Sequence, residues 1–250
     1  MSLDLTTILV GIALLVASYI KGTTGLGFPM IATPTVALLL DIRTAVTILI
    51  LPNLVMDMAQ VFRGGLPYAA FRRFAGLLVL TVLGVFLGTK VLATLPLWVL
   101  NLCLGIMVLL FVLSTWLSVE FTISPRAERF LSPVAGMISG FLNGMTNAAG
   151  PSLAIYLYSL KLEKRDFIKS IATIFVITKA SQLAAVSTWN LLNWATLLLS
   201  LAVTLLALLG FYAGLKTQDR VNQETFNKAL RILLFAIGVV LVIRAVTQAA

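Results

Sequence analysis

The sequence has no histidine and a single cysteine, Cys103. These absences remove imidazole and thiolate metal cages, a disulfide framework and the histidine-based nucleophile pairs of hydrolases. Cys103 lies inside a hydrophobic run and reads as a small core or lipid-facing residue. Charge is also scarce: 11% of residues are Asp, Glu, Lys or Arg, where a soluble domain carries about a quarter. Acid is scarcest, with 9 acidic against 18 basic residues. The opening MSLDLTT lacks a basic n-region and carries Asp4, so a cleaved signal peptide is not expected.

What is present is apolar. The chain is 60% hydrophobic over 250 residues, with a mean hydropathy of +1.06. That composition predicts an all-α integral membrane protein. Short apolar pieces are expected over 5–20, 30–40, 131–142 and 152–160. Full spans are expected over 44–62, 74–91, 97–117, 171–189, 194–215 and 230–246. Arg63 to Arg73 reads as a basic loop, 161–169 as a charged segment and 216–228 as a polar loop in which Asn222 could cap the following helix. Residues 1–118 form an N-terminal repeat, 119–130 a cytoplasmic connector and 131–250 a C-terminal repeat, within one membrane domain.

The repeat rests on shared polar and small residues, not on scattered leucines. At one constant shift Gly22 aligns with Gly144, Thr24 with Thr146, Pro29 with Pro151, Ala32 with Ala154, Arg43 with Arg165 and Gln60 with Gln182. Further along, LGVFLGTK from Leu83 aligns with LGFYAGLK from Leu209, and Gly105 with Gly238. Each half is expected to be a broken, short-helix hairpin followed by three full spans. Three is odd, so the halves would lie inverted. With Arg63–Arg73 inside, the clusters Arg126–Arg129, Lys161–Lys169 and Lys216–Arg231 also fall inside, and only Arg43, Lys90 and Arg244 fall outside. That is the positive-inside pattern, with both termini outside and Trp98, Trp189 and Trp194 at the outer interface. The basic excess is therefore a topology signal, and no nucleic-acid partner is expected.

Two stretches break the apolar pattern at matching places: KGTTGLGFP from Lys21 and NGMTNAAGP from Asn143. Paired interruptions in two halves are a pointer to a transporter binding site. The first is not a dinucleotide fingerprint: its spacing is G-x-x-G-x-G and no strand precedes it. Lys21, Lys179 and Asp57 fall at membrane depth, where ionisable groups are costly and functional by default. Asp57 and Lys179 are repeat equivalents, as are Lys21 and Asn143. A structural Lys179–Asp57 ion pair is one reading. The other has the lysines hold an anion while Asp57 serves as the proton-coupling candidate. Gly25, Gly27 and Gly150 let backbone approach a ligand, and helix N-termini at the breaks would present N–H donors to it. Thr23, Thr24, Asn143, Thr146 and Asn147 add hydroxyl and amide groups, Gln60 and Gln182 complete the set, and Pro29 and Pro151 suit the first turn of the returning helices. Gly84/Gly88 and Gly210/Gly214 have the small-xxx-small spacing of close helix packing.

The two broken motifs, the pair Gly150-Pro151, the following LAIYLYSLKLEKRDFIKSIATIFVI and the glycine-bearing last span resemble the sulfite exporter TauE/SafE family across essentially the whole chain. TGLGFP, preceded by Lys21, stands where the common family form has a glycine run near GIGGG. The resemblance implies a multi-pass protein of the bacterial inner membrane that exports sulfite, sulfoacetate or a related organosulfur anion. The resulting expectation is a secondary transporter, not an enzyme, with no cofactor and no metal. Its partners would be a small anionic substrate and the lipid bilayer, with a homodimer as a candidate assembly. A cation or metal-ion permease, or an importer of a different organic anion, is the alternative. A permease for cations calls for several intramembrane carboxylates or thiolates, against one acid and two lysines here.

Overall fold

A computed structural model describes residues 5–63, 68–117, 123–148, 150–217 and 223–249. Among these, every regular element is a helix: α1 (Leu5–Thr24), α2 (Phe28–Leu39), α3 (Ile42–Arg63), α4 (Tyr68–Arg73), α5 (Ala75–Thr94), α6 (Leu97–Leu117), α7 (Pro125–Thr146), α8 (Gly150–Ser159), α9 (Lys164–Thr188), α10 (Trp194–Thr217) and α11 (Gln223–Ala249). The helices α1, α3, α5, α9, α10 and α11 are long and apolar enough to cross a membrane. Backbone groups in hydrocarbon must be satisfied internally, so apolar runs of this length fold as helices. Their ends follow local chemistry. Asn193 and Thr196 cap each other reciprocally at the start of α10. Ser124 accepts from Ala127 N at 3.3 Å and Pro125 occupies the first turn of α7.

Several segments differ from the sequence expectation. The first break is narrower: α1 runs through Lys21, Gly22, Thr23 and Thr24, leaving only Gly25–Gly27 outside helix. The hydroxyls of Thr23 and Thr24 bond back to Ile20 O at 2.9 Å, and Gly25 N continues the ladder to Lys21 O. The helix α7 likewise begins at Pro125, inside the expected connector, and continues to Thr146. Residues 68–73 of the expected basic loop form α4. Lys164 already opens α9 and Gln223 opens α11, so the charged and polar loops are shorter than expected. The connector residues 119–122 and the Asn222 cap lie outside the described residues.

Glycine seams set the packing. On α7, Gly136, Gly140 and Gly144 face Leu77, Thr81 and Val85 of α5, and a Cβ on any of them would overlap backbone there. The partners advance together, so α5 and α7 run parallel. Gly84 and Gly88 receive α7 at Met137 and Phe141 in the same way. Along α1 and α10, Gly11 faces Leu206, Gly210 faces Leu15 and Ser18, and Gly22 meets Gly214, again in parallel. Small residues let backbones approach where lipid supplies no hydrophobic drive between helices. Elsewhere α3 packs on α9, α6 on α11, α3 on α10 and α5 on α9. Exchanging each helix of one half for its counterpart in the other maps α1–α10 onto α7–α5 and α3–α10 onto α9–α5. It leaves α3–α9 and α6–α11 unchanged.

Both short helices return toward the end from which their partners enter. Ile123, just before α7, donates to Ser159 O at the end of α8. After α2, Arg43 donates to Leu92 O and Leu95 O at the far end of α5, and Arg244 to Leu38 O. Lys90 lies over the Trp189 ring at the same end, which also holds exposed Trp194. Side chains such as Leu205, Leu209, Tyr212 and Ile232 are more than half exposed around the bundle, as a lipid-facing belt requires.

Candidate functional site

Two clusters of polar side chains lie inside this apolar bundle, each built around a lysine. Lys21 and Lys179 are 1% and 0% exposed. Burying an ammonium group is costly unless its donors and charge are met, so the partners of each are the informative feature.

In the first cluster, Lys21 Nζ on α1 donates to Asn53 Oδ1 and to Asp57 Oδ1 on α3. Asn53 and Asp57 are four residues apart and so share one helix face. The second oxygen of Asp57 and the amide nitrogen of Asn53 are buried without a partner among the described residues. The cluster thus has a matched charge pair, one free acceptor and one free donor. Asp57 pairs with Lys21, and not with Lys179 as one of the two sequence readings has it.

In the second cluster, Lys179 Nζ on α9 donates to Asn143 Oδ1 at 2.9 Å, Asn147 Oδ1 at 2.6 Å and Gln182 Oε1 at 2.8 Å. An ammonium group has three donors, and all three go to neutral amide oxygens. Gln182 Nε2 holds Asn143 O at 2.9 Å, and Asn143 Nδ2 donates to Gln182 Oε1 at 3.0 Å. Asn147 ends α7 with φ 62°, and its Nδ2 donates to Val46 O on α3 at 3.1 Å. Hydrogen bonding is met here, with no carboxylate in contact with Lys179 among the described residues.

The remaining expected site residues divide between the two breaks. Gly25 and Gly27 have φ of 82° and 100°, the left-handed region that glycine adopts without strain. Gln60 Nε2 donates to Gly25 O at 3.2 Å, so Gln60 holds the first break much as Gln182 holds the second. The threonine hydroxyls are engaged mainly with nearby backbone, and Thr146 also reaches Met107 Sδ on α6 at 3.4 Å. Thr23 bonds to Ile20 O, Thr24 to Ile20 O and Leu26 O, and Thr146 to Leu142 O. They shape the breaks and do not converge as a donor set. Gly150 opens α8 against Met30 Sδ of α2, where a Cβ would lie 3.2 Å away, so the two returning helices meet near the breaks. Pro29 and Pro151 are each the second residue of their helices. Asn53 was not among the expected site residues; its place one turn before Asp57 is the signal that could have found it.

A helical bundle with six apolar spans, broken helices and ionisable groups buried at bilayer depth belongs to the class of multi-pass membrane transporters. The chain is a member of the sulfite exporter TauE/SafE family, whose family model matches residues 9–241. No curated protein and no solved structure gives a match to it.

Proposed function

We propose that this protein is a secondary transporter that carries a small sulfur-containing anion, sulfite, sulfoacetate or a related organosulfonate, outward across the cell (inner) membrane. The observation that carries this reading is Lys179, a fully buried lysine whose three hydrogen-bond partners are all uncharged. A mobile anion beside it supplies the missing charge, and its oxygens can replace the amide oxygens on Nζ one for one. Asn143, Asn147 and Gln182 hold the lysine in place when no anion is present.

The Lys21–Asp57 pair is the coupling element in this reading. Protonating Asp57 removes the charge that holds Lys21 and leaves that lysine available to the anion; loss of the proton restores the pair. The breaks supply the flexible backbone that this exchange needs, at Gly25, Gly27 and Gly150, with Thr23, Thr24 and Thr146 fixing the ends of α1 and α7. Gln60 and Gln182 tie each break to a full span. The interchange of helix contacts between the halves supports two inverted repeats that rock against each other, with the domain boundary after residue 118. The tryptophans at one end and the larger basic cluster of Arg72, Arg73, Arg126 and Arg129 at the other support an outer face with both termini.

The test is sulfite and sulfoacetate efflux from proteoliposomes holding the purified protein. Lys179→Gln and Lys21→Ala are expected to abolish flux while the protein remains folded and monodisperse. Wild-type rates in both variants would defeat the anion-site reading.

A further inference from the structure

A second basic site lies away from the buried clusters, at the start of the α5–α7 seam. A cavity of about 510 Å³ is bounded by Arg72, Arg73, Gly76, Glu128, Arg129 and Ser132, among others. Arg73 donates from Nε and from one terminal nitrogen to the two oxygens of Glu128, at 2.8 and 2.9 Å. These hydrogen bonds hold its guanidinium above its ordinary range. That pairing uses the one acid of the cavity. Arg72 and Arg129 have no carboxylate partner among the described residues. The cavity therefore offers two guanidinium groups in excess, with the Ser132 hydroxyl beside them.

Its position narrows the ligand. Ala75, also at the cavity, is the first residue of the apolar span over α5, and Arg72 and Arg73 precede it with only Phe74 between. The cavity thus sits where the apolar part of the bundle ends, at headgroup level. Exposed Phe71, Phe130 and Val134 flank it on α4 and α7. Paired guanidinium forks match the oxygens of tetrahedral anions bidentately.

We propose that this cavity binds a tetrahedral oxyanion, a phosphate- or sulfonate-type group, at the membrane boundary. Two sources carry that chemistry: the headgroup of an anionic phospholipid and a free anion. The flanking aromatic and aliphatic side chains favour the lipid, because they give acyl chains a surface beside the headgroup. The site is independent of the transport reading, since it shares no residue with either lysine cluster.

The full-length protein would be examined by native mass spectrometry from nanodiscs of phosphatidylglycerol and of phosphatidylcholine. A parallel thermal titration with inorganic phosphate and methanesulfonate tests the free anion. Two variants are compared with wild type. The double variant Arg72→Gln/Arg129→Gln removes the excess charge. Gly76→Val keeps every arginine and narrows the cavity, since a Cβ at Gly76 meets only Pro133 Cγ, at 3.4 Å. Retained phosphatidylglycerol that falls about tenfold or more in both variants supports the site and names the lipid as the source. A saturable rise in Tm with phosphate or methanesulfonate, lost in both variants and without selective lipid retention, supports the site and names the free anion. Lipid retention and anion response that are the same in wild type and both variants would overturn the proposal.

Discussion

Asp57→Asn is the most direct probe of how the bundle tolerates its buried charges. The substitution keeps shape and one acceptor oxygen but removes the charge that faces Lys21. Breaking a buried ion pair by neutralising one partner costs about 3–5 kcal/mol, because the other charge stays behind. The lower end applies here. Asn53 Oδ1 still accepts from Lys21, and the new carboxamide can accept as well. About 3 kcal/mol at 2–4 °C per kcal/mol corresponds to a fall in Tm of roughly 6–12 °C for a chain of this size. The assay is thermal unfolding of the detergent-purified protein at fixed lipid and salt. The companion is the double variant Lys21→Met/Asp57→Leu, which removes both charges and replaces them with apolar groups of similar volume. Such replacement of a whole buried pair is often neutral, so the double variant should recover most of the loss. A single variant that melts within about 2 °C of wild type would refute the reasoning. So would a double variant whose loss equals the sum of the two single losses.

Three further outcomes test the packing. Gly140→Leu places side-chain atoms where Thr81 carbonyl already lies, and should destabilise by about 1–3 kcal/mol or more, whereas Gly11→Ala, whose Cβ would meet Leu206 Cδ2 at 3.7 Å, should melt like wild type. Gly27→Ala forces a side chain into the left-handed region at φ 100° and should cost about 1–2 kcal/mol, read as a lower Tm with unchanged helix content by circular dichroism. Arg73→Gln removes a partly exposed ion pair and should change stability by less than about 1 kcal/mol, with an effect that shrinks further at high salt.

Much of this arrangement could be read from residue order. The start of α6 at Leu97 coincides with that expected, because Pro96 fixes that end. Lys21, Asp57 and Lys179 stood out because ionisable groups in apolar runs are expensive wherever they finally point. Their pairing was not legible. Which lysine meets Asp57 depends on how α1 and α9 pack against α3, and no spacing within one chain segment encodes that. The width of the first break was misjudged for a different reason. Lys21, Gly22, Thr23 and Thr24 look like helix breakers in sequence, yet Gly22 is small to admit Gly214, and the threonines bond back to Ile20. A glycine at a helix seam and a glycine at a turn are the same letter. The helix α4 was missed within a stretch whose arginines and glycines suggested only a loop.

The two lysine clusters differ in charge although the proposed repeats place them at related positions. Where one half has Lys21 facing Asp57, the other has Asn143 facing Lys179. Each is a long-range contact from the broken-segment helix to the next full span, so the scaffold is shared and the electrostatics are not. The first cluster pairs its lysine with a carboxylate, and the second holds its lysine with neutral amide oxygens alone. In a frame whose inward- and outward-open states exchange the roles of the halves, equal clusters would hold an anion equally well in both. Unequal clusters would not: under the proposed mechanism the anion would prefer Lys179 until a proton on Asp57 released Lys21. The charge difference between the proposed repeats would then make transport sensitive to protons. Introducing Asp57→Asn on its own should therefore flatten the dependence of efflux on the pH gradient, as well as lowering Tm. If efflux by Asp57→Asn keeps the wild-type response to the gradient, Asp57 acts only as the structural partner of Lys21, and the coupling must be sought elsewhere in the chain.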